Sequence, residues 1–477
     1  MNTPAEIFKE YEKSRNFKLS LNEKGMYEQN RINRRFFSGD QWYGASVSAE
    51  RPLVRHNIIR RIGEYKIGDL LKDKTKISLC ADGIGFTNAD IKATEQDKAL
   101  ASQGNFQFEK QAGEKEVRLL CKSLSDYLEI CNQNLQMEEK LTDILKNSFI
   151  TGTGVLYTYW DTLAFDGKGD INCEVLPIEN VYFGDSASES VEKQPYIIIV
   201  TRPDTEEVKR TAVANGCDPS LIVPDNVSNG KTTVFTKLYK KYDGIKSRIM
   251  AVSVTEKAYV KQEYDTGLTK YPINIFPWEK AENCIYGESE VTHLVPNQIA
   301  INRMLSASVW ASMYMGMPIM TVNGDTVTED ITNDPGQIIK VYGTNEDVRG
   351  AVHYVAPPDF SSGFDSAVSS LIQNTLEGSG AGMTTLGKIS YNNTAAIEAI
   401  SSVSGVSAIS LAARYRCFLQ SVALTFVDFW VNKYSKRDLL IEDTNGRWYF
   451  PFDSSRYKGL CFSAVAHTIK EEANESH

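Results

Sequence analysis

The 40-residue stretch 317–356 sits between two runs of helical spacing, 288–315 and 361–377, and this excursion constrains the chain more than any other feature. It holds short β-like runs, PIMTV, QIIKVYG and AVHYV, separated by Gly, Asp and Asn turns. Such a module lies near the lower size limit for independent folding and buries little apolar surface by itself. Identical neighbours packed side by side stabilise a limb of this kind most simply, which predicts a ring or another oligomer. In its first helix Val291, Leu294, Val295, Ile299 and Leu305 lie near one face, and Pro296 is placed to kink it.

No charged residue occurs between Met304 and Gly324. The run is long enough to span a bilayer, but Ser306, Ser308, Ser312, Gly316, Pro318 and Asn323 dilute it. A helix facing a core or a neighbouring subunit, then running into a strand, fits better, and no membrane partner is expected. The whole chain, 477 residues with 42% hydrophobic and 24% charged, has an ordinary globular balance and excludes collagen-like, coiled-coil and largely disordered chains. Two to four domains follow from the length.

Lys plus Arg number 52 against 61 for Asp plus Glu, a net charge of −9, which argues against gripping nucleic acid over the whole surface. Residues 1–76 run against this trend with 16 basic and 10 acidic side chains. Their arginines, including Arg31, Arg34, Arg35, Arg51, Arg55, Arg60 and Arg61, form the strongest charge feature. They could contact phosphates, pair with acidic surfaces of a neighbouring subunit, or simply be solvated.

The first third reads as helical over 3–36, 55–71 and 114–150. The last is the longest expected helical stretch, with Val117, Leu120, Leu124, Leu128 and Leu135 inward. A turn is expected at 38–40. From residue 150 the period becomes two. VLYTYWD and DINCEVLPIENVYF form a hairpin around FDGKGD, followed by strands at 196–202, 232–242, 248–254 and 258–264. This body ends near Pro277-Trp278. The run 378–394 is rich in Gly, Ser, Thr and Asn and reads as a loop, 395–434 is helical and largely apolar, and 435–477 holds one or two strands without a clear place. The fold class is α+β.

No residue pattern supports catalysis. The eight cysteines lack any CxxC pair and the five histidines are dispersed, so no metal site is expected and the thiols read as reduced. Histidines beside apolar residues, such as His293 and His353, read as structural. The N-terminus is charged and lacks the apolar core of a signal peptide. Gly382 to Lys388 has the GxxxxGK spacing of a phosphate loop, but Ile389 stands where Ser or Thr must hold magnesium, and no buried strand precedes it. A nucleotide-binding enzyme built on 382–388 is therefore the alternative reading, and no cofactor is expected. The GTG at 152–154 reads as a turn with close backbone approach. The acidic loop from Asp161 to Asp170 fits a hairpin turn better than a calcium site.

Several segments together resemble the portal proteins of tailed bacteriophages. They are Asn33-Arg-Arg-Phe-Phe-Ser-Gly-Asp-Gln-Trp42, Arg55-His-Asn57, Gly152-Thr-Gly154 before a strand ending in Trp160-Asp161, and Leu176-Pro177-Ile-Glu-Asn-Val181 leading to Gly184-Asp185. The most telling are Tyr271-Pro-Ile-Asn-Ile-Phe-Pro-Trp278, Tyr286-Gly-Glu-Ser289, and Leu294-Val-Pro-Asn-Gln298 with Ile301-Asn302. The order and spacing of these pieces over residues 25–430 carry the likeness.

The resemblance implies a wing over 1–287, stem helices at 288–316 and 361–377, a clip at 317–360, a tunnel loop at 378–394 and wing-crown helices at 395–434, with 435–477 unassigned. It implies a dodecameric ring, without enzymatic activity, at one vertex of a virion capsid, assembled in the host bacterial cytoplasm. Double-stranded DNA would pass through its channel. Terminase large subunit, head-completion or adaptor proteins, and major capsid and scaffolding proteins would be its partners. On this reading Lys388, Asn392 and Asn393 in the tunnel loop, with Glu377 and Asp365, face the DNA channel. Asp325, Glu329, Asp330 and Asp334 form an acidic docking face on the clip, and Arg34, Arg35, Arg60 and Arg61 contact phosphates or neighbouring subunits. Between Pro357 and Gly405 Asp359, Asp365, Glu377 and Glu398 stand against Lys388 alone. A mostly acidic wall lets DNA slide, because tight phosphate binding would stall it.

Overall fold

The computed structural model describes residues 2–43, 52–72, 74–82, 106–226, 230–244, 246–315, 319–325, 327, 340–343, 350, 352–355, 362–381, 394–443, 446–457 and 460–468. It is a mixed helix and sheet fold in which every strand pairing is antiparallel. Helix α1 (Pro4–Ser20) starts on a capping box: Thr3 Oγ1 accepts from the Glu6 amide at 3.3 Å and Glu6 Oε2 accepts from the Thr3 amide at 3.0 Å. Helix α2 (Met26–Ser38) stops where Gly39 turns left-handed at φ +102°, matching the expected turn. In α3 (Ile58–Lys72), Asn57 Oδ1 accepts from the Arg60 amide at the N-terminus.

Strand β1 (Thr75–Asp82) precedes α4 (Phe106–Asn134) and α5 (Met137–Thr151). The helical stretch expected over 114–150 is present as two helices, broken where Gln136 adopts φ 52°, and the longest helix lies elsewhere, at 394–433. Strands β2 (Thr153–Asp161) and β3 (Asp170–Leu176) form the expected hairpin, with Val155 opposite Leu176. Pro177 and a 3-10 turn at Ile178–Asn180 then carry the chain into a different sheet through β4 (Val181–Phe183), which splits the run expected as one strand.

Strands β5 (Tyr196–Thr201), β6 (Val234–Asp243), β7 (Lys246–Val254) and β8 (Tyr259–Asp265) follow β4 in order in a five-stranded sheet. An unanticipated helix, α6 (Thr205–Ala214), lies between β5 and β6. Strand β9 (Ile273–Pro277) returns to pair with β2. Helix α7 (Glu290–Met315) leads into the limb, where β10 (Ile319–Val322) pairs with β11 (Val352–Val355) before α8 (Ser362–Gly378) comes back. Residues 340–343 form no strand, so that part of the expected QIIKVYG strand is absent, and 337–339 lie outside the described residues.

Residues 394–433 make one helix, α9 (Thr394–Lys433), rather than several. The tail then contributes β12 (Lys436–Asp443), β13 (Gly446–Asp453), the short α10 (Ser454–Tyr457) and β14 (Cys461–Thr468). Strand β14 pairs with β1 along its whole length, so the tail belongs to the body.

The main core gathers around α9, whose Tyr415, Phe418, Phe426 and Trp430 are buried against Phe276, Tyr127 and their neighbours. A second cluster seats Ile7, Phe8 and Tyr11 of α1 on Tyr182, Phe235, Val252 and Val254 of the five-stranded sheet. A third packs Val208 and Ala212 of α6 with Cys217, Ile222, Val234 and Val260. Among the described residues no helix is long and apolar enough to cross a membrane.

Candidate functional site

The limb grows from a root where segments distant in sequence converge on the first turns of α7. Glu290 in the first turn accepts from Lys66 Nζ at 2.6 Å and from the Trp278 indole at 2.8 Å. Arg414 of α9 reaches the same corner by donating to the Trp278 carbonyl at 2.8 Å. Asn33 of α2 is fully buried. Its amide donates to the Ile150 carbonyl, to Ser289 Oγ and to Thr292 Oγ1 at 2.9–3.2 Å. Ser289 in turn donates toward the Phe149 and Ile150 carbonyls that end α5.

Two residues beyond Pro296 a second clamp begins. Gln298 Oε1 accepts from the Ile58 and Ile59 amides at 3.0 and 3.4 Å, while its Nε2 donates to the His56 carbonyl and to Asn302 Oδ1. Asn302 Oδ1 also accepts from the His56 amide, and its Nδ2 donates to Gln41 Oε1 at 2.8 Å. Gln41, Gln298 and Asn302 are all buried, so their mutual bonds replace the water each has lost. Val54 N donates to Ser306 Oγ at 3.0 Å and extends the grip along the helix.

The glycines of the GTG turn let the backbones meet here. A Cβ on Gly152 would lie 2.1 Å from the Gly287 carbonyl oxygen, and one on Gly154 would lie 2.4 Å from the Ile144 carbonyl oxygen. The close approach expected from the sequence is therefore present, and its partners are the loop before α7 and helix α5.

Beyond the root, α7 and α8 lie against each other, with Asn297 Nδ2 donating to Thr375 Oγ1 at 3.3 Å and Val368 and Leu376 buried. The outer face of α7 exposes Val309 and Met313, at 41% and 53%, within the charge-free run. A limb with such a surface has apolar area left for a partner.

Asp365 and Glu377 are exposed on α8, and Glu377 accepts from Gln373 at 2.7 Å. Asp325 is exposed in the turn after β10, its amide donating to Asn323 Oδ1 at 3.0 Å. Lys388, Asn392 and Asn393, the GxxxxGK run, Glu329, Asp330 and Asp334 lie outside the described residues.

Three of the four singled-out arginines carry carboxylate partners within the chain. Arg34 pairs with Glu179 at 2.8 Å, Arg35 with Asp40 at 3.0 Å and Arg60 with Glu64 at 2.7 Å. A phosphate would have to compete with each of them. Arg61 is half-buried at the base of α3. Burial pushes the Glu179 carboxyl up, but Arg34 and the Asn30 amide outweigh it and hold the group below the usual carboxylate range. His293, expected to be structural, is instead a surface side chain 3.5 Å from Glu288.

Sequence reasoning passed over the residues that build the root. Asn33, Gln41, Ser289, Gln298 and Asn302 sit inside the segments quoted for the resemblance, and the sequence alone assigns none of them a role. Polar side chains amid apolar helical spacing were the available signal; their partners, more than 200 residues away, were not. Among the described residues no group of His, Cys, Asp and Glu gathers to hold a metal ion. No family model and no curated protein matches the chain.

Proposed function

We propose that the chain is the subunit of a portal-type ring, a twelve-membered channel for double-stranded DNA at one vertex of a tailed-phage capsid. The observation that carries this reading is the limb: two packed helices ending in a two-stranded sheet, rooted where the segments of the resemblance converge. A joint clamped on both sides of Pro296 suits a helix that must stand out from its body and bear load.

In this reading the exposed apolar side of α7 packs on the next subunit, which replaces exposed area by burial around a closed ring. Asp365 and Glu377 line the channel as rings of negative charge, and Lys388 supplies a single positive ring on the tunnel loop. Such a wall repels phosphates and keeps affinity for passing DNA low. The clip face around Asp325 receives the terminase during packaging and head-completion proteins afterwards. Hydrolysis of ATP belongs to that motor partner.

Negative-stain electron micrographs of the purified full-length chain test the proposal. Rings with a stain-filled centre wide enough for a DNA duplex are the expected image; compact particles without a hole, together with ATP turnover by the pure chain, would overturn it.

A further inference from the structure

The turn that delivers β4 forms a small cage of backbone carbonyls and aromatic rings. Pro177 opens the 3-10 turn over Ile178–Asn180, and the Asn180 amide donates back to the Pro177 carbonyl at 2.9 Å. This tight turn brings the carbonyl oxygens of Ile178, Glu179 and Val181 to 2.6, 3.3 and 2.7 Å from a single atom, Lys18 Nζ. The Tyr182 and Tyr286 ring centres lie 3.9 and 5.3 Å from the same nitrogen. Lys18, Tyr182 and Tyr286 are all buried, so the cage is closed to bulk solvent.

Dipoles, rather than an acid in contact, receive this charge. Glu179 lends its carbonyl to the cage, while its carboxylate accepts from the Asn30 amide at 2.8 Å and pairs with Arg34 at 2.8 Å. An ammonium carries three N–H donors on a compact point charge, which matches three converging acceptors. Carbonyl oxygens so arranged replace the hydration shell of a monovalent cation, and the faces of aromatic rings add their own attraction. A planar guanidinium does not fit that convergence, and a tetraalkylammonium has no donor to offer it. The groups that line the cage all lie outside α1. The seat therefore belongs to the body, and α1 supplies only the cation.

We propose that residues 178–182, together with Tyr286, form a recognition site for a primary ammonium, which Lys18 fills as a tethered ligand. Docking of α1 is then a binding event with its own ion selectivity, added to the apolar contacts of Ile7, Phe8 and Tyr11. The tether keeps the lysine at a high effective concentration, so a free ammonium gains the site only when Lys18 is removed. The inference goes beyond the ring reading and does not depend on it.

Urea unfolding of the full-length chain tests it. Lys18→Ala empties the head and the stem of the site and should lower the urea midpoint. Ethylammonium chloride should recover at least half of that loss, with a response that saturates as binding does. Tetramethylammonium chloride at equal ionic strength should recover none of it, and wild type should respond alike to both salts. Lys18→Arg keeps the charge but not the geometry, and should lose most of what Lys18→Ala loses. If Lys18→Ala does not fold in plain buffer, refolding in ethylammonium but not in tetramethylammonium chloride is the expected result. A Lys18→Ala chain that behaves identically in the two salts, folded or not, would overturn the site. A Lys18→Arg chain as stable as wild type would overturn it equally.

Discussion

Lys18 has no solvent exposure, yet its ammonium is fully engaged. It donates to the carbonyls of Ile178, Val181 and Glu179 at 2.6, 2.7 and 3.3 Å and stands 3.9 Å over the Tyr182 ring. Three donors meet three acceptors, so α1 is bolted to the turn that delivers β4. Lys18→Met keeps the stem and orphans the carbonyls, which should cost about 1–3 kcal/mol and raise amide exchange across α1 first. Burial holds the Lys18 ammonium well below its ordinary pKa, against the pull of Glu179. Between that depressed value and the ordinary lysine value the unfolded chain binds the proton more tightly, so this group makes stability rise with pH. The stability of wild type relative to Lys18→Met should therefore increase as pH climbs through that window, measured by urea unfolding at successive pH values. A difference that shrinks with pH would contradict the assignment. At Gly154 the reasoning is steric: Gly154→Ala drives a Cβ into the Ile144 carbonyl and should destabilise the fold by about 1–3 kcal/mol, read as a lower urea midpoint.

At the scale of elements, the root of α7 decides whether the limb has a fixed direction. Gln298→Ala removes the acceptor for the Ile58 and Ile59 amides and the donor to His56, at about 1–3 kcal/mol for each buried group left without a partner. Hydrogen exchange should rise at residues 56–62 and along α7 while the five-stranded sheet stays protected; an exchange pattern unchanged at α3 would show that the clamp does not hold the limb. Much of this level was readable beforehand. Helices α2 and α3, the β2–β3 hairpin, β10, β11 and α8 follow from local periodicity and from turn residues such as Gly39. What stayed hidden depends on distant partners. Strand β1 pairs with β14 near the other end of the chain, and neither edge strand announces its mate. The break at Gln136 sits between two good helical patterns with no Gly or Pro to mark it. The charge of the α2 and α3 arginines is legible in the sequence, but their partners Glu179, Asp40 and Glu64 come beside them only in the fold. The channel and clip residues could be named from the resemblance, but only Asp365, Glu377 and Asp325 fall within the described structure, all three of them exposed.

For the whole molecule, the account depends on unsatisfied surface. Val309 and Met313 of the limb are left exposed on a helix whose other described apolar side chains are largely buried. A ring of identical copies would cover this face of the limb around a closed circle, which a monomer cannot do. The solution mass of the full-length chain, followed by sedimentation equilibrium across a concentration series, tests this most directly. The account predicts a discrete assembly close to twelve chains that persists on dilution. A mass of one chain, or of a compact dimer, at every concentration would contradict it.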